Sequence, residues 1–438
     1  MKLSTQQQPS RVRFRILAAI FVSVVINYMD RSNISVAATG ITEDLKLSPV
    51  QLGYVFSAFG WTYAILQIPG GIMADRFGAR IVYTFSIIIW SLVTVAQGFA
   101  TGFMMLFVLR MLIGVFEAPS YPINNRIVTS WFPDKERATA IAIYTSGQFA
   151  GLAFLAPALT TLQFYAGWQG LFIITGIIGV IWGIGWYFIY RDPADHAKVN
   201  EAELDYIEKG GGLINRKKTT LTANRTLFKW NDLKEVFSHQ KLWGIYIGQF
   251  TVNGTMWFFL TWFPTYLVKY RGMDFIKSGF LASVPFIAAF AGILLAGFLS
   301  DYMIRKGVSA STARKTPVIT GLLLSLSIIG ANYVSSPALI IMFMCIAFFG
   351  NGFASITWVF VSTISPKHLV GLTGGVFNFI GGLSAIVVPL VIGYLVKNGN
   401  FAPALLFIGA LGIAGALCYI FLVGKVERIE VRNDKATY

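Results

Sequence analysis

Four ionisable residues of this chain stand inside long apolar stretches, where charge is rare. Asp30 and Arg31 lie near the middle of one stretch, and Arg110 and Glu117 lie within another. A charged side chain costs at least about 2.5 kcal/mol at the centre of a bilayer, so intramembrane charges usually mark a substrate pathway or a proton relay. The alternative is an ion pair that only neutralises charge and lets the helices pack.

The two acids have the chemistry of proton carriers. Burial favours the neutral form of a carboxylate and a nearby arginine favours the charged form, so a carboxylate held between these influences can load and release a proton. We therefore predict that Glu117 and Asp30 are proton-coupling groups, with Arg31 and Arg110 setting their charge. Arg110 and Glu117 are seven residues apart (117 minus 110), so they share a helix face about 10 Å apart. The alternative for Glu117 is a permanent pairing with Arg110 or a hydrogen-bonded packing role.

Two local patterns predict the shape of the helices around these charges. Pro119 and Pro122 follow Glu117 closely, and a proline inside a helix removes a backbone hydrogen bond and tends to kink the helix. Gly147 and Gly151 have the small-xxx-small spacing that allows two membrane helices to approach closely. We therefore expect a weak point beside Glu117 and a close helix contact at the glycine pair.

The composition is that of a membrane protein. Of the 438 residues 55% are hydrophobic and 13% are charged, and the mean hydropathy is +0.64, whereas a soluble domain has roughly 25% charged residues. The net charge is +15. The positive-inside rule accounts for this excess, because most Lys and Arg residues fall on the cytoplasmic side when both termini are placed there. The basic charge therefore does not indicate a nucleic-acid partner.

Twelve apolar segments are long enough to cross a bilayer, which takes roughly 20 mostly apolar residues. They lie at about 16–38, 50–74, 80–100, 103–128, 139–163, 168–190, 241–268, 277–303, 316–334, 338–362, 371–396 and 401–424. An even number of crossings puts both termini on one side of the membrane, and the basic connections place that side in the cytoplasm. Trp131, Trp168, Trp243 and Trp262 lie near segment ends, where interfacial anchoring is the ordinary role of tryptophan.

An internal repeat relates the two halves of the chain. A G-x-x-x-D motif followed by basic residues ends at Asp75 and again at Asp301, 226 residues later (301 minus 75). Such a repeat predicts two six-helix bundles related by an axis along the membrane normal. We therefore predict an all-α membrane protein with an N-terminal bundle over 1–190, a C-terminal bundle over 241–438, and between them a solvated cytoplasmic linker over 191–240 that contains a charged helix.

The polar side chains within the second-half segments are neutral. They are amides, hydroxyls and an indole, at Gln249, Asn253, Asn351, Ser355, Thr357, Trp358 and Asn378. Such groups suit the hydroxyls of a sugar, because each hydroxyl needs a donor or acceptor once water is displaced. The two cysteines lack CxxC spacing and the three histidines lie in polar connections, so we predict neither a metal site nor a cofactor.

Several motifs resemble those of known transporters. GGIMADRFGAR and Arg110-x-x-x-Gly114 are similar to the helix 2–3 and helix 4 signatures of the major facilitator superfamily. NYMDRSN, FEAPSYPINNRIVTSWFP and YTSGQFAG resemble its anion:cation symporter family, and the resemblance covers nearly the whole chain. It implies a secondary transporter, not an enzyme, that imports a sugar acid, D-galactonate or a close hexonate, with protons by alternating access.

The resemblance also implies roles for individual residues. The implied substrate-binding positions are Tyr28, Arg31, Tyr63, Gln148, Gln249, Ser355, Thr357, Trp358 and Asn378. Arg31 suits the substrate carboxylate, because a guanidinium can hold a carboxylate through two parallel hydrogen bonds. For Ser355 and Trp358 the alternative is a packing role between helices. Gate and interbundle contacts are implied for Asp75, Arg76, Arg80 and Asp301.

The setting that the resemblance implies is the cytoplasmic (inner) membrane of a bacterium. We expect a multi-pass monomer with both termini in the cytoplasm and with a small-molecule sugar acid, protons and the lipid bilayer as its partners. Among transporters, the alternative substrates are a hexuronate, glucarate, 2-keto-3-deoxygluconate or another organic anion. A membrane enzyme or sensor would need a soluble domain or a clustered nucleophile and base, and a channel would need a continuous polar path without accumulation.

Overall fold

The computed structural model describes residues 8–214, 230–366 and 369–430 of the chain. All regular secondary structure in these ranges is helical, which confirms the predicted all-α class. The first helices are α1 Val12–Asp44, α2 Pro49–Phe77, α3 Ala79–Gln97, α4 Phe103–Glu117, α5 Ser120–Trp131, α6 Asp134–Ile189 and α7 Glu201–Lys209, with a 3-10 turn at Pro193–Asp195 between the last two.

The remaining helices contain several short irregular turns. They are α8 Trp230–Ser238, α9 Gln240–Thr261, α10 Phe263–Thr265, α11 Phe275–Arg305, α12 Ala310–Leu324, α13 Pro337–Ala354, α14 Trp358–Ile364, α15 Val370–Leu395 and α16 Ala402–Leu417. Turns of 3-10 type follow α12 and α13, at Ser325–Tyr333 and Ser355–Thr357, and π-type turns follow α10 and α16, at Tyr266–Tyr270 and Cys418–Leu422.

Nine helical runs in the described ranges are long and apolar enough to cross a membrane. One of them, α6, is interrupted at Gly167, whose φ of 70° lies in the left-handed region that favours glycine, so α6 supplies two segments. With α2 and α9, which are 29 and 22 residues long, the helical segments of bilayer length number twelve, as predicted.

The chain forms two compact units. The first unit comprises 1–45 and 58–226 and the second comprises 46–57 and 227–438, in so far as these residues are described. In the first unit α1 packs along α6, and α3 packs against both α6 and α4. In the second, α9 packs along α15 and α11 along α13.

The glycine pair of the first unit forms the close helix contact that its spacing predicts. A Cβ atom on Gly147 would lie 3.1 Å from the carbonyl oxygen of Phe21, and one on Gly151 would lie 3.4 Å from that of Val25. A Cβ on Gly147 would crowd the α1 backbone and one on Gly151 would just touch it, so the two glycines let α6 lie directly against α1. This contact brings Gln148 beside the polar part of α1.

The predicted linker is helical over α7, but the prediction that it is solvated is wrong at Glu203. This carboxylate is fully buried and accepts hydrogen bonds from the Ser10 hydroxyl at 2.5 Å and from the backbone N–H groups of Val12 and Arg13 at 2.9 and 3.2 Å. The Arg13 guanidinium also pairs with it at 3.0 Å. Helix α1 has no side-chain cap of its own, so Glu203 satisfies first-turn N–H groups that would otherwise lack partners.

The same contacts determine the ionisation of Glu203. Burial alone would favour the neutral acid, but the hydrogen bonds from Ser10, Val12 and Arg13 outweigh it and lower the pKa of Glu203 below its usual value. The rest of the predicted linker, residues 215–229, lies outside the described ranges.

Candidate functional site

A buried ion pair between α1 and α4 occupies the interior of the first unit. The Nε and Nη2 atoms of Arg31 lie 2.6 and 2.5 Å from the same oxygen of Glu117, Oε1, and the two side chains are 6% and 0% exposed. The other carboxylate oxygen, Oε2, has no hydrogen-bond partner among the described residues. Glu117 therefore pairs with Arg31, and not with Arg110 as the packing alternative proposed. The predicted weak point is present as an interruption between the end of α4 at Glu117 and the start of α5 at Ser120, although Ala118 and Pro119 keep right-handed helical dihedral angles.

Three aromatic rings surround the Arg31 guanidinium. Its Cζ atom lies 4.8 Å from the ring centre of Tyr28, 4.9 Å from that of Phe59 and 4.7 Å from that of Tyr63. Cation–π attraction of this kind is strongest when the cation is desolvated, so the rings stabilise the buried charge. Tyr28 and Tyr63 were predicted site residues. Phe59 was missed, and its spacing of one turn from Tyr63 on α2 is the signal that could have indicated it.

Gln148 joins the tyrosine side of this cluster. The Tyr28 hydroxyl donates to Gln148 Oε1 at 2.9 Å, and the Tyr121 hydroxyl approaches the same oxygen at 3.4 Å. The glycine pair that flanks Gln148 makes this contact possible by bringing α6 against α1. The structure thus brings together Tyr28, Arg31, Tyr63 and Gln148, the predicted binding residues of the first unit, and it adds Tyr121, which lies four residues after Glu117.

Asp30 is bound separately from its neighbour Arg31. Its carboxylate is 1% exposed and accepts from the Trp90 indole at 2.9 Å, and Asn33 approaches the other oxygen at 3.4 Å. Arg110, 2% exposed, approaches the backbone carbonyl of Asp30 at 3.4 Å. The adjacent pair Asp30–Arg31 therefore does not neutralise itself, because the Asp30 carboxylate is hydrogen-bonded to α3 and the Arg31 guanidinium is paired with α4.

The second unit contains a neutral polar cluster. Thr357 donates to Gln249 Oε1 at 2.6 Å, and the Gln249 amide donates to Asn253 at 3.1 Å. Asn351 donates to the backbone carbonyl of Val252 at 2.7 Å. Gln249, Asn351 and Thr357 are 7%, 5% and 1% exposed, so these amides and hydroxyls are held in fixed orientations.

The Ser355–Thr357 turn interrupts the helical segment that carries this cluster. The Ser355 hydroxyl donates a hydrogen bond to the Gly352 carbonyl at 2.7 Å, within the same helical turn. Trp358 is 51% exposed and packs edge-on against Phe377 at 5.0 Å. Phe377 precedes Asn378 on α15, and the Asn378 side chain is exposed. The Ser355 hydroxyl thus bonds within its own turn, whereas Trp358 and Asn378 are exposed side chains at a surface of the unit.

The predicted gate residues lie at helix ends. Arg80 donates to the Tyr187 carbonyl at 3.0 Å and its guanidinium stacks 3.9 Å from the Tyr187 ring. Arg76 is exposed at the end of α2, and Asp301 is exposed near the end of α11. The Asp75 side chain lies outside the described part of the structure. The described residues include no group of three or more His, Cys, Asp or Glu side chains that could hold a metal ion.

Comparisons with known proteins agree with this architecture. The profile of the Major Facilitator Superfamily matches residues 20–311. The D-galactonate transporter of Escherichia coli O6:H1 is 52% identical over 422 residues, 96% of this chain and 98% of that protein. A probable galactarate/D-glucarate transporter of Bacillus subtilis is 43% identical over 432 residues, 97% of this chain and 94% of that protein.

A solved structure with a similar fold is that of a D-xylose-proton symporter. It has a TM-score of 0.72 at 14% sequence identity and covers 94% of this chain and 98% of that chain. At this identity the likeness concerns the fold alone. The predicted superfamily is thus confirmed by sequence and by fold. The chain belongs to the Major Facilitator Superfamily and is a membrane transporter, not an enzyme.

Proposed function

We propose that this chain imports a sugar acid, D-galactonate or a close hexonate, together with protons. The relatives support the substrate class, because one at 52% identity is a D-galactonate transporter and one at 43% is a probable galactarate/D-glucarate transporter. All three compounds are polyhydroxylated acids. They differ in charge, since galactonate has one carboxylate and the two aldarates have two.

The Arg31–Glu117 pair is the single observation that carries the proton coupling. Both guanidinium nitrogens that contact Glu117 converge on one carboxylate oxygen, and these are donors that a substrate carboxylate would need. An ionised Glu117 therefore competes with the substrate for Arg31. When a proton neutralises Glu117, the guanidinium becomes available to the anion, so substrate and proton are bound together.

The charge count of the first unit supports the same coupling. Arg31 and Arg110 balance Glu117 and Asp30 when both acids are ionised, and all four side chains are at most 6% exposed. Protonation of either acid leaves one positive charge in a region of low dielectric constant, where it attracts an anion strongly. The bound monocarboxylate restores neutrality, and this favours one proton for each hexonate.

The neutral cluster of the second unit supplies groups for the sugar hydroxyls. Gln249, Asn351 and Thr357 offer carbonyl, amide and hydroxyl groups held by protein contacts, and Trp358 and Asn378 offer further polar atoms. None of these five residues carries a charge. A second carboxylate, as in an aldarate, would lack a cationic partner among them, so they favour a hexonate.

The remaining roles follow the alternating access expected of the superfamily. We place the protein as a monomer in the bacterial inner membrane with both termini in the cytoplasm, in agreement with the distribution of basic residues. The contact of Arg80 with Tyr187 in its own unit supports a structural role at the helix end. Asp75, Arg76 and Asp301 are assigned to the gate by their position in the repeated motif.

Uptake into proteoliposomes tests this proposal. Vesicles with an alkaline interior are given D-galactonate, galactarate, D-glucarate or a hexuronate, with and without the pH gradient. We expect the gradient to drive accumulation of D-galactonate and a protonophore to abolish it. Equal uptake without the gradient would refute proton coupling, and preferential accumulation of an aldarate would refute the hexonate assignment while leaving the coupling intact.

A further inference from the structure

A column of buried polar atoms extends from the ion pair toward the end of the first unit where α1 begins. Seven atoms form the part of the column nearest the ion pair. They are Oε2 of Glu117, the hydroxyls of Ser120 and Tyr83, and both amide atoms of Asn27 and of Asn124. All five side chains are 0% exposed. None of the seven atoms has a hydrogen-bond partner among residues 8–214, 230–366 and 369–430.

Helix geometry aligns three of these residues. Glu117, Ser120 and Asn124 are spaced i, i+3 and i+7, which places them on one face of a continuous helical path. The path continues across the junction of α4 and α5, because Ala118 and Pro119 both keep right-handed helical dihedral angles. The unpartnered groups therefore extend along the helix axis for about two turns, or about 10 Å, from Glu117 to Asn124.

Helices α1 and α3 contribute the other side of the column. Ser23 and Asn27 lie on the face of α1 that also carries Asp30. Asp30 is bonded to Trp90 of α3, and Tyr83 lies two turns before Trp90. The Tyr83 hydroxyl lies close enough to the side chains of Asn124 and Ser23 to interact with them, but without the geometry of a hydrogen bond. Helix α1, helix α3 and the α4–α5 path thus place polar atoms in one interior region between the two acids, Asp30 and Glu117, and the end of the unit where α1 begins.

The column continues to the end of the unit. The indole N–H groups of Trp131 and Trp186 are buried and make no hydrogen bond of good geometry in the described part of the chain, and Trp131 lies near Tyr190. The Trp186 ring lies 4.9 Å from the Tyr83 ring and is stacked on Tyr190 at 5.1 Å. The Tyr190 hydroxyl donates to Asp192, a partly exposed residue, at 2.8 Å. Ring contacts through Trp186 and Tyr190 therefore connect Tyr83 to a residue at the surface of the unit.

Buried polar groups without a protein partner are usually bonded to ordered water. Leaving one unsatisfied costs about as much as a lost hydrogen bond, and seven together would rival the net stability of a domain. A buried water typically makes about three hydrogen bonds, so about two or three waters would satisfy all seven atoms. Asn27, Tyr83, Ser120 and Asn124 have the donors and acceptors to hold such a chain.

We propose that Asn27, Tyr83, Ser120 and Asn124 hold a chain of ordered waters that carries protons between Glu117 and the membrane face where α1 begins. The proposal rests on the proposed proton coupling and specifies its exit route. The O–H bond of neutral Glu117 breaks as an O–H bond of the first water forms. The proton then passes from water to water until bulk solvent accepts it, and the Glu117 carboxylate pairs again with Arg31.

The water chain is tested first in the unmodified transporter by radiolytic hydroxyl-radical labelling, in which ordered water generates the radicals that oxidise adjacent side chains. Tyr246 is the internal control, because it is equally buried but its hydroxyl donates to the Val236 carbonyl. We expect Tyr83 to be oxidised several-fold faster than Tyr246, and Asn124→Leu to reduce the rate at Tyr83 to that of Tyr246. Equally slow oxidation of both tyrosines in the unmodified protein would overturn the proposal.

Transport by variants tests the proton route. Asn124→Leu and Asn27→Leu should lower uptake driven by a pH gradient by on the order of a hundredfold, the lower range for a positioned proton transfer. Substrate counterflow at equal pH should stay near the unmodified rate. Asn124→Ser retains a hydroxyl and room for water, so it should retain gradient-driven uptake.

Gln97→Met is the matched control, because Gln97 is a fully buried amide without a described partner at the opposite end of α3. It should retain both activities. Gradient-driven uptake at the unmodified rate by Asn124→Leu and Asn27→Leu would refute the route while the proposed function stands. If the unmodified transporter itself ignores the gradient, the coupling fails instead, and the labelling of Tyr83 still decides whether the waters are present.

Discussion

Replacing Glu117 by glutamine separates substrate binding from proton binding. Glutamine has nearly the same shape as glutamate but cannot ionise. In the unmodified protein, Glu117 pairs with Arg31, whose Nη2 and Nε atoms lie 2.5 and 2.6 Å from Glu117 Oε1. In Glu117→Gln the guanidinium is available to an anion at every pH. We therefore expect the variant to bind and exchange D-galactonate but not to accumulate it in response to a pH gradient.

The geometry gives the size of the effect. Two unit charges about 4 Å apart interact by about 4 kcal/mol at the effective dielectric constant of 20 that suits protein sites. Since about 1.4 kcal/mol corresponds to a factor of ten in affinity, ionised Glu117 can weaken binding of a competing carboxylate by up to about three orders of magnitude. Above the pH at which Glu117 ionises, affinity should fall about tenfold per pH unit, the slope for one linked proton.

Titration calorimetry measures this linkage directly. D-galactonate is titrated into purified protein in buffers that differ in ionisation enthalpy, over a series of pH values. The unmodified protein should take up about one proton per substrate at alkaline pH and Glu117→Gln about none. Glu203→Gln is the matched control, because Glu203 is also a fully buried glutamate paired with an arginine, but it lies on α7. Unchanged proton uptake in Glu117→Gln would refute the competition for Arg31.

Three further variants test the other contacts. Arg31→Lys keeps the charge but loses the planar fork, so the affinity for D-galactonate should fall by about tenfold or more, and unchanged calorimetric affinity would exclude a carboxylate clamp. Thr357→Val removes the 2.6 Å hydrogen bond to Gln249 and should lower affinity by about two- to tenfold without changing proton uptake; an altered proton number would contradict the neutral role of this cluster. Glu203→Gln should lower the free energy of unfolding by about 1–3 kcal/mol, because the Arg13 contacts weaken. Since the folded-state pKa of Glu203 is lowered, its contribution is complete above the usual glutamate value and is lost as the pH falls through the folded value, so thermal unfolding of the two proteins should converge in acid.

The sequence predicted the helices and the identity of the buried charges for simple reasons. An apolar run of bilayer length admits few structures other than a helix, and a charge inside such a run must face the protein interior. Proline after Glu117 and glycine around Gln148 act locally, so their effects on α4 and α6 were also predictable. These features depend on residues close together in the chain.

The pairing of the charges was not predictable in the same way. Arg110 and Glu117 share a helix, and seven residues of helix separate them by about 10 Å, which is too far for a direct ion pair. Glu117 instead meets Arg31 on α1, a contact set by how the helices pack. The same limit explains why Trp90 was missed, since an aromatic residue in an apolar segment gives no local sign that it faces a carboxylate.

The interfacial role predicted for the tryptophans shows a related limit. Trp131 and Trp262 are 0% exposed and Trp168 is 4% exposed, whereas Trp243 is 40% exposed. Trp262 donates its indole N–H to the Pro389 carbonyl, so a position near a segment end did not imply contact with lipid headgroups. For three of the four residues, anchoring at the interface was the wrong interpretation, because tertiary packing buries large side chains wherever a partner surface is available.

The four buried charges of the first unit relate the net charge of the substrate to the number of protons bound with it. Arg31 and Arg110 face Glu117 and Asp30, so the cluster is neutral only when both acids are ionised, and each proton added allows one negative charge on the substrate. A hexonate needs the protonation of one acid. An aldarate needs the protonation of both Glu117 and Asp30. We therefore propose that the charges of the first unit, as much as the hydroxyl-binding groups proposed for the second, favour a substrate with one carboxylate.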